Sequence, residues 1–453
     1  KQKRVRLSGL FRPAFILSLV LLLQLVCAVL FLAGIIPSYT LKAHNLDVLG
    51  AGTYFLMMFS LVTVLVAMQP KGNTVDAGIS LSEQIDVKKL EKLVIALTAA
   101  GFLMTIWVIS STIEGKSIID YFQDCIRNSS RYAEEFDASP FRISIIVPMV
   151  NSALVPFLYK RRAFLGCLFG TLAVAALLSL VFGSRLVLLF VAFVLFASMT
   201  RLWFYDKEIS LGTTLKIGIV LAVAALFFVY VQGNRDYELA GGAWHTDSVF
   251  IWGISRMIDY PLSTIIYISH FPDMISTGFP VNVEFFLPSL QRLGLTSDSV
   301  NSLAEWLYSY RTSFGQGYYT NLGGFGDSVF NVGFAGILLI PIYLLIAATA
   351  YRSYSYGRIG GLIYYPIVYY TLFEFWRTFY LTYETLEIAL LILFVIYLAV
   401  RKRKPSRCLR WRSARRESQG SRMAKSPGEQ FFRSRALSSC FQASRSSKTR
   451  NVA

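Results

Sequence analysis

Residues 14–36 read AFILSLVLLLQLVCAVLFLAGII, a run in which Gln24 is the most polar side chain and no residue is charged. A helix rises about 1.5 Å per residue, so a block this long covers the roughly 30 Å hydrocarbon core of a bilayer. Lys1, Lys3, Arg4, Arg6 and Arg12 precede it. The block is long for a cleavable signal and has no clean small-x-small site, so it reads as an uncleaved first span.

Similar blocks follow at 48–69, 91–113, 140–158, 163–182, 186–204, 213–231, 327–350, 360–380 and 384–400. Composition agrees: 55% of the 453 residues are hydrophobic, 15% aromatic and 16% charged, whereas a soluble chain carries about a quarter charged residues. The expected fold class is an all-α polytopic membrane protein of about ten transmembrane helices. The expected organisation is helices one to seven over 1–231, an outer loop over 232–326, helices eight to ten over 327–400 and a basic tail over 401–453.

The formal charge of +17 is uneven. The tail 401–453 holds sixteen Lys or Arg against Glu417 and Glu429, and the preceding 400 residues carry only +3. An Arg/Ser-rich tail without aliphatic pattern reads as disordered and cytoplasmic, with anionic lipid as its natural contact and no nucleic-acid role. The Lys/Arg bias sets the orientation. Segments 1–13, 70–92, 159–162, 201–216 and 351–359 hold seventeen basic residues in 65 positions, and the other loops hold fewer over more than twice that length. Both termini are then expected inside, and Lys160-Arg161-Arg162 is the tightest marker.

Five cysteines without a CxxC give no disulfide framework, and three histidines at 44, 245 and 270 argue against a His-based metal site. No metal and no cofactor is expected.

Two outer segments are long enough to fold. Residues 114–139 are acidic, and 232–326 carries Trp244, Trp252 and Trp306 among many Tyr and Phe, interleaved with Pro261, Pro272, Pro280 and Pro288. Loops of this length are functional or disordered, and the aromatic content argues against disorder. A small helical cap on the outer mouth of the bundle is expected.

The basic residues of that loop are Arg235, Arg256, Arg292 and Arg311, with no Lys. The guanidinium fork matches phosphate oxygens bidentately, which a Lys point charge does not. Arg185 ends Phe182-Gly183-Ser184-Arg185 and Arg235 ends Gln232-Gly233-Asn234-Arg235. Both emerge at the membrane surface, where a lipid-linked phosphate sits. Pairing with lipid head groups, Asp236 or Asp259 is the plain alternative. Before span eight runs Phe314-Gly315-Gln316-Gly317-Tyr318-Tyr319-Thr320-Asn321-Leu322-Gly323-Gly324-Phe325-Gly326-Asp327. Its glycines allow tight turns and close backbone approach to a ligand or a neighbouring helix, and no Gly-Lys-Ser/Thr makes it a P-loop. Asp247, His245, Asp259, His270, Glu305 and Asp327 are the outer acid/base candidates. Glu374 and Arg377 are one helical turn apart and read most simply as an intrahelical ion pair.

The many-span layout, the Phe-Gly-Ser-Arg close of span five and the long loop after span seven resemble Wzy-type O-antigen polymerases. So does the run Thr277-Gly278-Phe279…Leu287-Pro288…Thr312-Ser313-Phe314…Asn321-Leu322-Gly323-Gly324-Phe325-Gly326…Gly333. The resemblance covers most of residues 10–400 through short, degenerate motifs, and the tail has no counterpart in it. It implies a GT-C-like glycosyltransferase on the periplasmic side of the bacterial inner membrane, polymerising undecaprenyl-pyrophosphate-linked oligosaccharide repeats beside a chain-length regulator. Arg185 and Arg235 are its expected pyrophosphate ligands. Asp259, Glu305 and His270 are candidate acid/base groups, and Arg256, Arg311, Tyr319, Asn321, Gly323 and Gly324 candidate substrate contacts. An O-antigen ligase has much the same plan. A lipid-linked oligosaccharide flippase is the alternative of a different class.

Overall fold

The computed structural model describes residues 4–6, 9–35, 45–69, 84–127, 143–182, 186–204, 208–210, 212, 226, 229–230, 233, 248–271, 322–332, 334–379 and 383–402. The first spanning block forms α1 (Pro13–Leu32), with Pro13 in the first turn, where its missing N–H costs nothing. Carboxylates start the next two long helices. Asp47 accepts from the Leu49 and Gly50 amides at the head of α2 (Val48–Met68). Asp86 does the same for Lys88 and Lys89 in α3 (Val87–Thr112). A short helix α4 (Ile118–Arg127) follows. Then come α5 (Ile143–Leu154, continued by a 3-10 turn to Leu158), α6 (Phe164–Val181) and α7 (Leu186–Met199). The second half contains α8 (Val249–Ser269), α9 (Gly323–Val332), α10 (Phe334–Ser355), α11 (Ile359–Phe373, continued by a 3-10 turn Glu374–Trp376) and α12 (Glu384–Val400). A short antiparallel pairing joins β1 (Arg4–Arg6) to β2 (Glu208–Ser210).

Among the described residues, five helices are long and apolar enough to cross a membrane: Pro13–Leu32, Val48–Met68, Val87–Thr112, Phe164–Val181 and Ala335–Ser355. Their packing agrees with that medium. On α1, Leu17 and Leu21 are buried while Leu19, Leu22, Leu23 and Val26 point outward. On α3 the outward residues include Leu103, Ile106 and Trp107. Apolar surface on both faces would be an aggregation liability in water and is matched by lipid. Inside, the helices are also joined by polar contacts. The Asn151 amide of α5 donates to Thr98 of α3 and Thr171 of α6, both at 2.8 Å. Contacts of this kind hold helices together where no hydrophobic force distinguishes protein from lipid. Against the far ends of α3 and α6, α4 buries Tyr121 and Cys125, and burial pushes the Cys125 thiol up.

One end of the bundle is tied by side chains bonded to helix ends. Arg201, after α7, donates from Nε and Nη2 to the carbonyls of Tyr354 and Ser355 that close α10, at 3.0 and 2.8 Å. Tyr354 returns its hydroxyl to the Ala197 carbonyl. Gln84 brackets the α10–α11 turn, donating to Gly357 and accepting from the Ile359 amide. Lys89 reaches the Ala399 carbonyl, and the Asp86 amide reaches that of Val400. The segments read from sequence as lying on one side therefore meet there.

Three regions differ from the sequence reading. The expected eighth span, 327–350, is divided into α9 and α10. A Cβ on Gly336 would lie 2.0 Å from the Ser328 carbonyl oxygen, although eight residues of continuous helix extend about 12 Å. The chain therefore turns back sharply between the two helices. The ninth span shortens to α11 and its 3-10 turn. The segment read as an outer loop contributes α8, which packs on α1, α2 and α9 and buries every residue from Pro261 to Ser269. Its beginning passes close to the helical residues 229, 230 and 233. A Cβ on Gly253 would meet the Val229 carbonyl at 2.3 Å, and one on Gly233 would meet that of Val249 at 2.2 Å. Apart from residues 233, 248–271 and 322–326, that loop lies outside the described residues, as do most of the seventh span and nearly all of the tail.

Candidate functional site

The glycine run ends in the first turn of α9, wedged between α8 and the 3-10 turn after α11. Gly323 has φ +75, a left-handed conformation that glycine adopts without strain. A Cβ there would meet Thr264 Cγ2 at 2.5 Å and the Trp376 carbonyl at 3.1 Å. A Cβ on Gly324 would meet the Phe375 ring at 2.5 Å. These two positions, read as substrate contacts, are close-packing sites between helices. Phe325 then stands edge-on to Tyr54 of α2 and to Phe271, just beyond α8.

The same junction gathers ionisable groups. The Gly323 amide donates to the Arg377 carbonyl at 3.1 Å. One turn into α9, Asp327 Oδ2 accepts from the Thr378 hydroxyl at 2.6 Å and from the Phe379 amide at 2.8 Å. The chain from 377 to 379 is thus strapped to α9 at both ends. Glu374, 3% exposed, lies with Oε2 3.5 Å from Arg377 Nη1. Below them Tyr343 stacks on Phe375 and meets Phe379 edge-on. Asp259 lies on α8 little more than one turn before Thr264; it is fully buried, with the Ser255 hydroxyl 3.5 Å away.

His270 ends α8, and its Nε2 lies 2.9 Å from the Asn45 carbonyl. A carbonyl only accepts, so Nε2 carries the hydrogen and is committed to this bond. Beside it, Ser269 Oγ accepts from the Asp47 amide. Together these contacts fasten the end of α8 to the start of α2.

Of the candidates named from sequence, Asp259, His270, Gly323 and Gly324 are thus placed along α8 and α9. Arg256 lies on α8 as well, three residues before Asp259. Arg185, Arg235, Glu305, Arg311, Tyr319 and Asn321 lie outside the described residues. Sequence reading noticed Asp327, Glu374 and Arg377 but not that they belong to one junction; their partners are about fifty residues apart in the chain, and no local pattern encodes that. Among the described residues, no three His, Cys, Asp or Glu come together as metal ligands. No family model, no curated protein and no solved structure matches the chain.

Proposed function

We propose that this chain is a membrane glycosyltransferase that polymerises undecaprenyl-pyrophosphate-linked oligosaccharide repeats on the periplasmic face of the bacterial inner membrane. The observation that carries the reading is the gathering of Asp259, Asp327, Glu374 and Arg377 along the α8–α9–α11 junction. Charged side chains at bilayer depth are costly and mark functional sites. A transfer between lipid-anchored substrates needs such groups at the membrane surface, to hold a diphosphate and to take a proton from the acceptor hydroxyl.

The reading places about ten spans in a GT-C-like plan, with the Arg201 and Gln84 ties at the cytoplasmic end and both termini inside. The 232–326 segment does more than cover the bundle, because it sends α8 into it. Arg185 and Arg235 emerge at the outer surface as diphosphate ligands, and a chain-length regulator is the partner protein. The base is sought among Asp259, Glu305 and His270, whose ring, donating from Nε2 to the Asn45 carbonyl, carries its basic lone pair on Nδ1. The test is the double substitution Arg185→Ala and Arg235→Ala. Long-chain polysaccharide should disappear while single-repeat material and membrane insertion persist; normal chain-length ladders would overturn the reading.

The division of α9 from α10 favours a second reading, since broken helices at charged sites are a transporter device. A deletion strain separates the two. A polymerase leaves single capped repeats, a flippase leaves repeats trapped on the inner leaflet, and a ligase leaves polymer on its carrier lipid.

A further inference from the structure

We propose that the turn between α5 and α6 holds the phosphate head group of an anionic phospholipid from the adjoining leaflet, at the bundle end that carries the Arg201 tie. The proposal is independent of glycan transfer. Three consecutive cations, Lys160, Arg161 and Arg162, are exposed on this turn. Its backbone is fixed: the Arg161 amide donates to the Leu158 carbonyl at 2.8 Å, and the Phe164 amide to the Arg161 carbonyl at 3.2 Å. The first bond closes a four-residue turn in which Tyr159 has φ −48 and ψ 134 and Lys160 has φ +74. Those angles belong to a type II turn, whose third position favours glycine. A lysine there carries backbone strain, and such strain clusters at ligand clamps.

A wall of rings stands beside the cations. The Tyr159 ring centroid lies 4.3 Å from that of Trp203 and 5.9 Å, edge-on, from that of Phe164, and Phe164 meets Trp203 edge-on at 5.3 Å. Tyr159 is half exposed, and rings with a polar edge settle at head-group level. Among the described residues neither Lys160 nor Arg162 has a carboxylate partner, and Arg161 Nε is 3.8 Å from Glu91 Oε2. Glu91 is flanked on α3 by the exposed Lys88 and Lys92, so the local balance stays positive. The Arg162 fork can span two phosphate oxygens, and Lys160 adds a compact charge. Because α6 begins without a side-chain cap, its positive end adds to the same field. Beyond the turn, Leu165 and Phe169 share one outward face of α6 and are 58% and 65% exposed. A Cβ on Gly166, beside them, would meet nothing within 4 Å. This apolar strip suits an acyl chain and gives a free phosphate nothing, which commits the site to a lipid.

The experiment titrates the full chain, purified in detergent and stripped of lipid, with phosphatidylglycerol, phosphatidylcholine of the same acyl chains, and inorganic phosphate. Bound lipid is counted by native mass spectrometry. Wild type should bind phosphatidylglycerol well above phosphatidylcholine. Lys160→Gly suits the turn, so it should hold or raise the melting temperature while weakening phosphatidylglycerol about fivefold. Arg162→Gln should weaken it by a similar factor, and the two together by about twentyfold. Lys160→Arg should stay near wild type. Arg352→Gln, which removes one exposed charge from the last turn of α10, should leave the preference intact. Equal binding of the two lipids by wild type, an unchanged preference in the double variant, or an equal loss in Arg352→Gln would overturn the proposal. So would displacement of phosphatidylglycerol by inorganic phosphate at equal concentration, which marks a free-anion site.

Discussion

The two ends of the bundle use arginine in opposite ways. At one, Arg201 is 4% exposed and spends two donors on the carbonyls that close α10. At the other, Arg377, its side chain 34% exposed, sits on a strapped turn with Nη1 3.5 Å from the buried Glu374 carboxylate. The first arrangement satisfies groups that a helix end leaves unpaired in lipid. The second keeps a partly exposed charge on a turn of fixed backbone. Burial and partner type, more than residue type, separate the two arginines.

Substitutions can break that contrast. Arg201→Ala should have the largest effect on stability, about 3 kcal/mol, because two charge-assisted bonds to buried carbonyls are lost together. In detergent the melting temperature should fall and protein yield with it, while any polysaccharide made keeps its normal chain-length distribution. A shortened distribution at normal yield would move Arg201 into the functional class. At the opposite end, Gly324→Ala pushes a methyl into the Phe375 ring. A cost of about 1–3 kcal/mol is expected, with loss of activity at temperatures where the protein remains folded, since α9 must shift against the Arg377 turn. Wild-type activity in Gly324→Ala would show that the junction tolerates displacement and is mere packing. Lys89→Ala should matter least. Its bond to the Ala399 carbonyl is exposed, and a change within about 0.5 kcal/mol is expected by thermal denaturation.

Legibility followed the same division. The apolar blocks at 163–182 and 384–400 lie within a residue of α6 and α12, because Arg161-Arg162 before the first and Arg401-Lys402-Arg403-Lys404 after the second end the apolar runs sharply. The expected first span, 14–36, runs four residues past the end of α1, because the helix stops at Ala33 before Gly34, whose φ of +68 is the left-handed conformation of a helix end. What hydropathy could not show was tertiary. The turn between α9 and α10 interrupts a block with no charged residue from Ser328 to Ala350, and its only mark was Gly333 and Gly336, which read equally well as packing positions. In α8, Arg256, Asp259 and Pro261 diluted an apolar pattern that the fold nevertheless buries completely from Pro261 onward. Glu374 and Arg377 were legible as an i, i+3 pair. That they belong beside Gly323 and Asp327 was not, because that contact exists only after α9 and α11 have packed.

The most direct measurement of the central claim is reconstitution of the purified full-length protein in proteoliposomes with defined undecaprenyl-pyrophosphate-linked repeats, products being sized by gel and mass spectrometry. The account predicts lipid-linked oligomers of two, three and more repeats, with free undecaprenyl pyrophosphate released as they lengthen. Repeats that stay single, whether they remain in place or cross the bilayer unchanged, would contradict it.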